Sequence, residues 1–289
     1  MNKEVYETNI DIVWQKWRNN NNFIVKDNKN DSKKCLILCS DNGLFHPFTE
    51  QSFVEKIVES DKYQFLRITD ENIFKKKFAR IIYIRDIWRS WYLLGLNEQI
   101  DSIDKIIDKM RELTEGYEII VAGVSSGGYM STILGCKLNA KTVFSFSGQF
   151  CLKVWLKSRM FPRFVNDPER SKYFDIVSLV QESDVNIYYF YPFYNKLDGL
   201  QVAYISQFKD MDNLHIMSFN HGKHGRVITP HTFKYLFCMD NSKLNKIFDS
   251  YKGKKVSRYL FTIRVGGIKG FFDCIKGLLH RMRRIKQKG

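Results

Sequence analysis

The sequence predicts an α/β fold, a mostly parallel central sheet with helices on both faces. Two observations carry this expectation. Short apolar runs of strand length (residues 35–39, 81–84, 119–122, 142–147, 186–191 and 214–219) alternate with helix-compatible stretches. Several of these runs are apolar at nearly every position, as strands buried on both faces require. A third observation fixes the centre of the chain. Gly123-Val124-Ser125-Ser126-Gly127 lies between the run 119–122 and a helix-compatible segment, 129–138. That is G-x-S-x-G at a strand-to-helix turn, the arrangement of a nucleophile elbow.

Taken in order, residues 1–33 read as two weak strands, around 4–14 and 23–26, joined by a polar run. The strand at 35–39 ends at Ser40-Asp41-Asn42-Gly43, a turn sequence. A helix-like stretch follows at 51–61, and the strand at 81–84 ends in Arg85-Asp86. Between 93 and 113 the apolar positions Leu96, Ile100, Ile103, Ile106, Ile107 and Met110 predict one helix. Residues 151–182 show no clear period, 200–208 read as helical, and Phe233 opens a further helix. With 289 residues and 44% hydrophobic content, the chain has enough material for a sizeable core. Residues 1–250 form the expected catalytic-type domain, and 251–289 a basic amphipathic tail.

The charge is unevenly placed. Residues 252–289 hold twelve lysines and arginines against one acid, Asp273, so +11 of the chain's +15 lies there and +4 remains for residues 1–251. The body is not a polycation, and nucleic acid is not its expected partner. The six cysteines lack metal-ligand spacing, and their scatter suits reduced thiols in a cytoplasmic protein. No apolar run reaches signal-peptide or membrane-spanning length.

The chemistry follows from the elbow. Ser125 is the expected nucleophile, because Gly123 and Gly127 flank it, whereas Ser126 in that role would have Val124 crowding the turn. The N–H of Ser126 would then serve an oxyanion. A serine nucleophile needs a base and a group that orients it. Asp198 falls between the strand 186–191 and the helix 200–208, where an orienting carboxylate belongs, although a turn or cap aspartate would look the same. The base should follow the last strand, which leaves His221 and His224 in Asn220-His221-Gly222-Lys223-His224-Gly225. His224 is preferred, since a few loop residues are needed to swing back over the nucleophile and Gly225 permits close approach. The second oxyanion donor is expected from the backbone N–H of Asn42 or Gly43. Arg85-Asp86, with Trp88, Trp91 and Tyr92, reads as an internal ion pair under an aromatic cap.

On IIYIRDIWRSWYLLG, VAGVSSGGYMSTILG, VFSFSGQ, LDGLQ and a late HG, the chain resembles the α/β-hydrolase superfamily over roughly residues 33–240. More narrowly, it resembles α/β-hydrolase-like proteins of bacterial capsule and surface-polysaccharide clusters and proteins that modify glycans of exported adhesins. The resemblance implies a Ser-Asp-His esterase or O-acyltransferase acting on an acylated small molecule or a glycan. A catalytically idle scaffold and a lipase or thioesterase are the other readings. No metal or nucleotide motif is present, so no cofactor is expected beyond an acyl donor. From Ile268 onward Ile268, Phe271, Phe272, Ile275, Leu278, Leu279, Met282 and Ile285 share one helical face, with cations on the rest. This predicts an interfacial helix on the anionic inner face of the cell membrane, the other reading being a helix packed on its own core.

Overall fold

A computed structural model of the chain describes residues 11–19, 21–153, 164–209 and 211–286. Eight strands form one sheet: β1 (Phe23–Asp27), β2 (Lys34–Cys39), β3 (Arg80–Ile84), β4 (Glu118–Val124), β5 (Thr142–Phe146), β6 (Asn186–Pro192), β7 (Leu214–Phe219) and β8 (Lys255–Val256). Their spatial order is β1-β3-β2-β4-β5-β6-β7-β8. Only the β1–β3 pair is antiparallel, and the rest of the sheet runs parallel.

The apolar runs become central strands because both their faces are covered. Cys35, Ile37 and Cys39 join one core with Met130, Ile133 and Leu134 of the helix Ser126–Lys137 and with Ile106, Ile107 and Met110 of the helix Ile103–Leu113. Leu36 and Leu38 point the other way, into a second core with Phe144, Phe146, Leu236, Phe248 and Phe261. This alternation within one apolar run is the period of a strand whose two sides are both interior.

Four expectations change. Residues 11–14 belong to a helix, Asp11–Asn19, which buries Val13 among Phe45, Phe53 and Trp88; residues 1–10 lie outside the described residues. The helix expected from Leu93 starts only at Ile103, where Ser102 accepts the N–H of Lys105 as its cap. Ahead of it, Asn97 Oδ1 accepts the N–H groups of Gln99 and Ile100 and closes a turn. Arg85 does not pair with Asp86: it bonds Asp61 at 2.7 Å and stacks on Tyr63, while Asp86 takes the N–H groups of Trp88 and Tyr92 and the Ser90 hydroxyl.

The fourth change moves a boundary. β8 adds Lys255 and Val256 to the sheet edge, and Phe261 and Val265 are buried in the second core. The body therefore extends past residue 250. The helix Arg258–Lys286 breaks at Gly267 (φ 57°, ψ −141°), and its second limb doubles back on the first. Gly270 touches the Thr262 carbonyl, which a Cβ would meet at 2.3 Å, and Cys274 Sγ donates to the Tyr259 carbonyl at 3.7 Å. Asp273 accepts from Lys234 Nζ at 3.0 Å and from the Tyr235 hydroxyl at 2.6 Å, tying this limb to the body. The face left outward holds Ile268, Phe271, Phe272, Ile275 and Leu279, each 38–78% exposed. Among the described residues, no helix is long and apolar enough to cross a membrane.

Candidate active site

The elbow owes its shape to three backbone approaches. Ser125 sits at φ 54°, ψ −120°, a region that side chains rarely occupy and that costs about 1–3 kcal/mol when held. The Ser125 N–H donates to the Phe146 carbonyl at 2.8 Å, and its own carbonyl accepts the N–H of Tyr129 at 2.9 Å. Gly123 and Gly127 are required on steric grounds. A Cβ on Gly123 would lie 2.1 Å from the Gly127 carbonyl oxygen, and one on Gly127 would lie 2.2 Å from that of Cys39. Ser126, the neighbouring serine, is fully buried.

Asp198 is not in a loop. It is the third residue of the helix Lys196–Ile205, which begins earlier than the apolar pattern suggests because Asn195 caps it. Asn195 Oδ1 accepts the N–H groups of Leu197 and Asp198 at 3.1 and 3.2 Å. The helix is anchored from behind, where Gln201 Oε1 accepts the N–H groups of Phe150 and Cys151. Asp198 is thereby held at 1% exposure.

His224 bridges the two. Its Nδ1 lies 2.9 Å from Asp198 Oδ2 and its Nε2 lies 2.8 Å from Ser125 Oγ. With the ring proton on Nδ1 donated to the carboxylate, Nε2 is left to accept the Ser125 O–H. Gly225 beside it has φ 70° and donates its N–H to Ser147 Oγ at 3.2 Å, and a Cβ there would press on Val124 at 3.1 Å. His221 does something else. Its Nδ1 accepts the Lys223 N–H at 3.0 Å and its carbonyl accepts the Tyr194 N–H at 3.0 Å, so it closes the loop that carries His224. Burial, and then the charges of Arg258, Lys223 and Arg226, hold its pKa below the usual histidine value.

The loop after β2 does lie beside the nucleophile, since β2 pairs with β4. Its N–H groups are disposed differently from the expectation. Gly43 N–H donates to Asp41 Oδ1 at 2.8 Å and is spent there. Asp41 N–H donates to Gln64 Oε1 at 2.8 Å, and Gln64 Nε2 returns a bond to Asp41 Oδ2 at 3.1 Å. The N–H groups of Asn42 and Ser126 have no acceptor among the described residues. Asn42 also donates through Nδ2 to the Arg89 carbonyl at 3.2 Å, which fixes the turn. Asp41 and Gln64 are thus positioning residues that the sequence did not flag, because a reciprocal pair 23 residues apart leaves no local pattern. Burial raises the Asp41 pKa, against its bonds from Gly43 and Gln64 and the nearby Lys62 and His224. Among the described residues, no cluster of side chains could hold a metal ion.

No protein-family model matches the sequence, and no curated protein matches it. The fold does find likenesses. A capsule O-acetyltransferase of Neisseria meningitidis serogroup A, solved with caged gadolinium, aligns at 12% identity and TM-score 0.51, over 78% of this chain and 90% of that one. A second structure of that enzyme gives 13% identity and TM-score 0.50 over the same shares. A lipase-esterase related protein from Clostridium acetobutylicum aligns at 15% identity and TM-score 0.46, over 74% and 97%. Together with the sheet order and the serine turn at the end of β4, the capsule enzyme's likeness shows that this chain has the α/β-hydrolase fold.

Proposed function

We propose that the chain is a serine esterase or O-acyltransferase that acts on an acyl group of a surface glycan or its precursor. The observation that supports this most is the single imidazole of His224, bonded at once to Ser125 Oγ and to a buried Asp198. In the first half-reaction His224 Nε2 takes the Ser125 proton while Oγ attacks the ester carbonyl. The Ser126 N–H faces the oxyanion that forms, and His224 returns the proton to the departing alkoxide or thiolate. In the second half His224 deprotonates water or a sugar hydroxyl, which displaces the acyl group from Ser125. The glycan part of the reading comes from the capsule O-acetyltransferase of similar fold.

A fluorophosphonate probe tests the nucleophile: it should label Ser125 in the folded protein and leave Ser125→Ala unlabelled. Asp198→Asn and His224→Ala should each lower aryl-acetate turnover by about 100-fold or more. Full turnover in Ser125→Ala would overturn the reading, and an active His224→Ala beside an inactive His221→Ala would move the base.

The same proposal places the protein on the inner face of an anionic membrane. Its outward stripe of Ile268, Phe271, Phe272, Ile275 and Leu279 is exposed among the described residues, and Lys269 and Lys276 stand exposed on the same limb. An apolar face flanked by cations fits the boundary between headgroups and acyl chains.

A further inference from the structure

We infer that the hollow between the elbow and the C-terminal hairpin is a substrate pocket in which Arg226 and Arg258 hold an anionic oxyacid group, a phosphate or a carboxylate. The cavity measures about 540 Å³, within the usual size of small-molecule sites. Ser125 and His224 do not line it, but their chain neighbours Val124 and Gly225 do, so it lies next to the elbow and the histidine loop. Phe65, Ile228 and Phe233 supply an apolar wall.

The charge in this hollow is uncompensated. Arg80, Arg111 and Arg170 each hold a carboxylate of this chain, Asp27, Asp108 and Asp167. Arg226 and Arg258 lie within salt-bridge distance of no carboxylate among the described residues, and Arg258 bonds only the Tyr259 hydroxyl, at 3.1 Å. The one carboxylate that lines the cavity, Asp273, is already taken by Lys234 and Tyr235. Both guanidinium groups line the same cavity, and both oppose the protonation of His221. Arg226 is exposed and Arg258 half-buried, so solvent screens part of their repulsion, and a bound oxyanion would neutralise both charges at once. A guanidinium can meet phosphate or carboxylate through two parallel N–H bonds.

Position gives the pair its meaning. Arg226 is two residues from His224, so their Cα atoms are at most about 7 Å apart. A substrate anchored there carries its negative group close to the scissile ester. This assignment of substrate class rests on Ser125 being the nucleophile, but the pocket's affinity for an anion can be measured without turnover.

The test is calorimetric titration of the full-length protein with inorganic phosphate and, separately, with glucuronate at low salt. Wild type and Ser125→Ala should bind at least one of the two with equal affinity, and the one bound names the group. Arg226→Gln and Arg258→Gln should each weaken that binding about tenfold, and the double variant should lose it. The same anion should compete with a neutral aryl acetate, raising KM without lowering kcat. Circular dichroism establishes that each variant is folded. Should the double glutamine variant fail to fold, Arg226→Lys with Arg258→Lys replaces it, and weaker binding is again expected because the paired bonds are lost. Binding that is equal in the double variant and wild type, or wild type that binds neither anion, overturns the inference. If Ser125→Ala keeps full turnover while anion binding needs both arginines, the nucleophile reading fails and the anion site stands.

Discussion

The elbow helix Ser126–Lys137 and the second limb of the C-terminal helix are built from similar materials and face opposite ways. In the elbow helix every residue from Ser126 to Gly135 is buried, and its glycines let it lie against neighbouring backbone. In the C-terminal limb the small residues Gly270, Cys274 and Gly277, with Asp273, turn toward the body and the cavity, while the large apolar residues turn out. An apolar stripe states that a helix face needs company and leaves open whose. The inward face of this limb is marked instead by Gly270 and Cys274, four residues apart, which permit close approach to the first limb.

The largest test of this difference exchanges glycines. Gly127→Ala sets a methyl 2.2 Å from the Cys39 carbonyl oxygen, against backbone that cannot turn away, and should cost about 3 kcal/mol or more, or prevent folding. Gly277→Ala meets nothing within 4 Å and should be neutral or raise stability by up to about 1 kcal/mol. Denaturant midpoints of the two variants measure this. Equal losses would show that the C-terminal limb is packed as tightly as the elbow.

The buried turn after β3 and the C-terminal limb should also respond to pH with opposite sign. Burial lifts the Asp86 pKa to about 6, against its bonds from Tyr92, Ser90 and Trp88. Between about pH 4 and 6 the folded chain therefore holds a proton that the unfolded chain has lost. This contribution makes stability fall as pH rises through that window, by up to about 3 kcal/mol. In the limb, burial pushes Asp273 up, but the bonds from Tyr235 and Lys234 outweigh it and hold its pKa below the ordinary carboxyl value. Its contribution is present above the unfolded pKa and is lost as pH falls through the folded one. Thermal melts from pH 3 to 7 should show a flatter profile for Asp86→Asn. Asp273→Asn should lose stability at neutral pH and match wild type at the acid end. The same slope for both variants would contradict these assignments.

The sequence made the sheet legible where burial is complete. β2, β3, β4, β5 and β6 lie within a residue or two of the apolar runs, because a strand interior on both faces has few polar positions to confuse it; β7 matches its run too, although it is only half buried. The G-x-S-x-G turn was legible because only glycine fits at Gly123 and Gly127. Less could be read where contacts are distant or polar. The helix start at Lys196 depends on Asn195 as cap, not on any apolar period. β8 is two residues long and gains its place only from Ser218 and Phe219. The Asp41–Gln64 clasp, which takes the Gly43 N–H expected for the oxyanion, joins residues far apart in the chain. Arg226 and Arg258 carry no local signal in the sequence, and only the fold sets both at one cavity whose carboxylate, Asp273, is held by Lys234 and Tyr235.

The smallest expected change in stability is in the outward stripe, and it separates the two readings of the C-terminal limb. Phe271 and Phe272 are 47% and 56% exposed, and their rings lie 5.7 Å apart, touching each other. Phe271→Ser with Phe272→Ser should change stability by no more than about 0.5 kcal/mol, as exposed substitutions do. The same variant should bind poorly to vesicles, because each ring removed gives up about 1.5–3 kcal/mol of burial at the interface. Exposed Lys269 and Lys276 should add about 1 kcal/mol each at an anionic surface, an attraction that salt screens. Sedimentation should therefore show wild type on phosphatidylglycerol vesicles at low salt, less at high salt, and little on neutral phosphatidylcholine. The double serine variant and a chain ending at Val265 should stay in solution. A large loss of stability in the serine variant would mean that the stripe packs on the body. Equal sedimentation of the shortened chain would remove the membrane from the account.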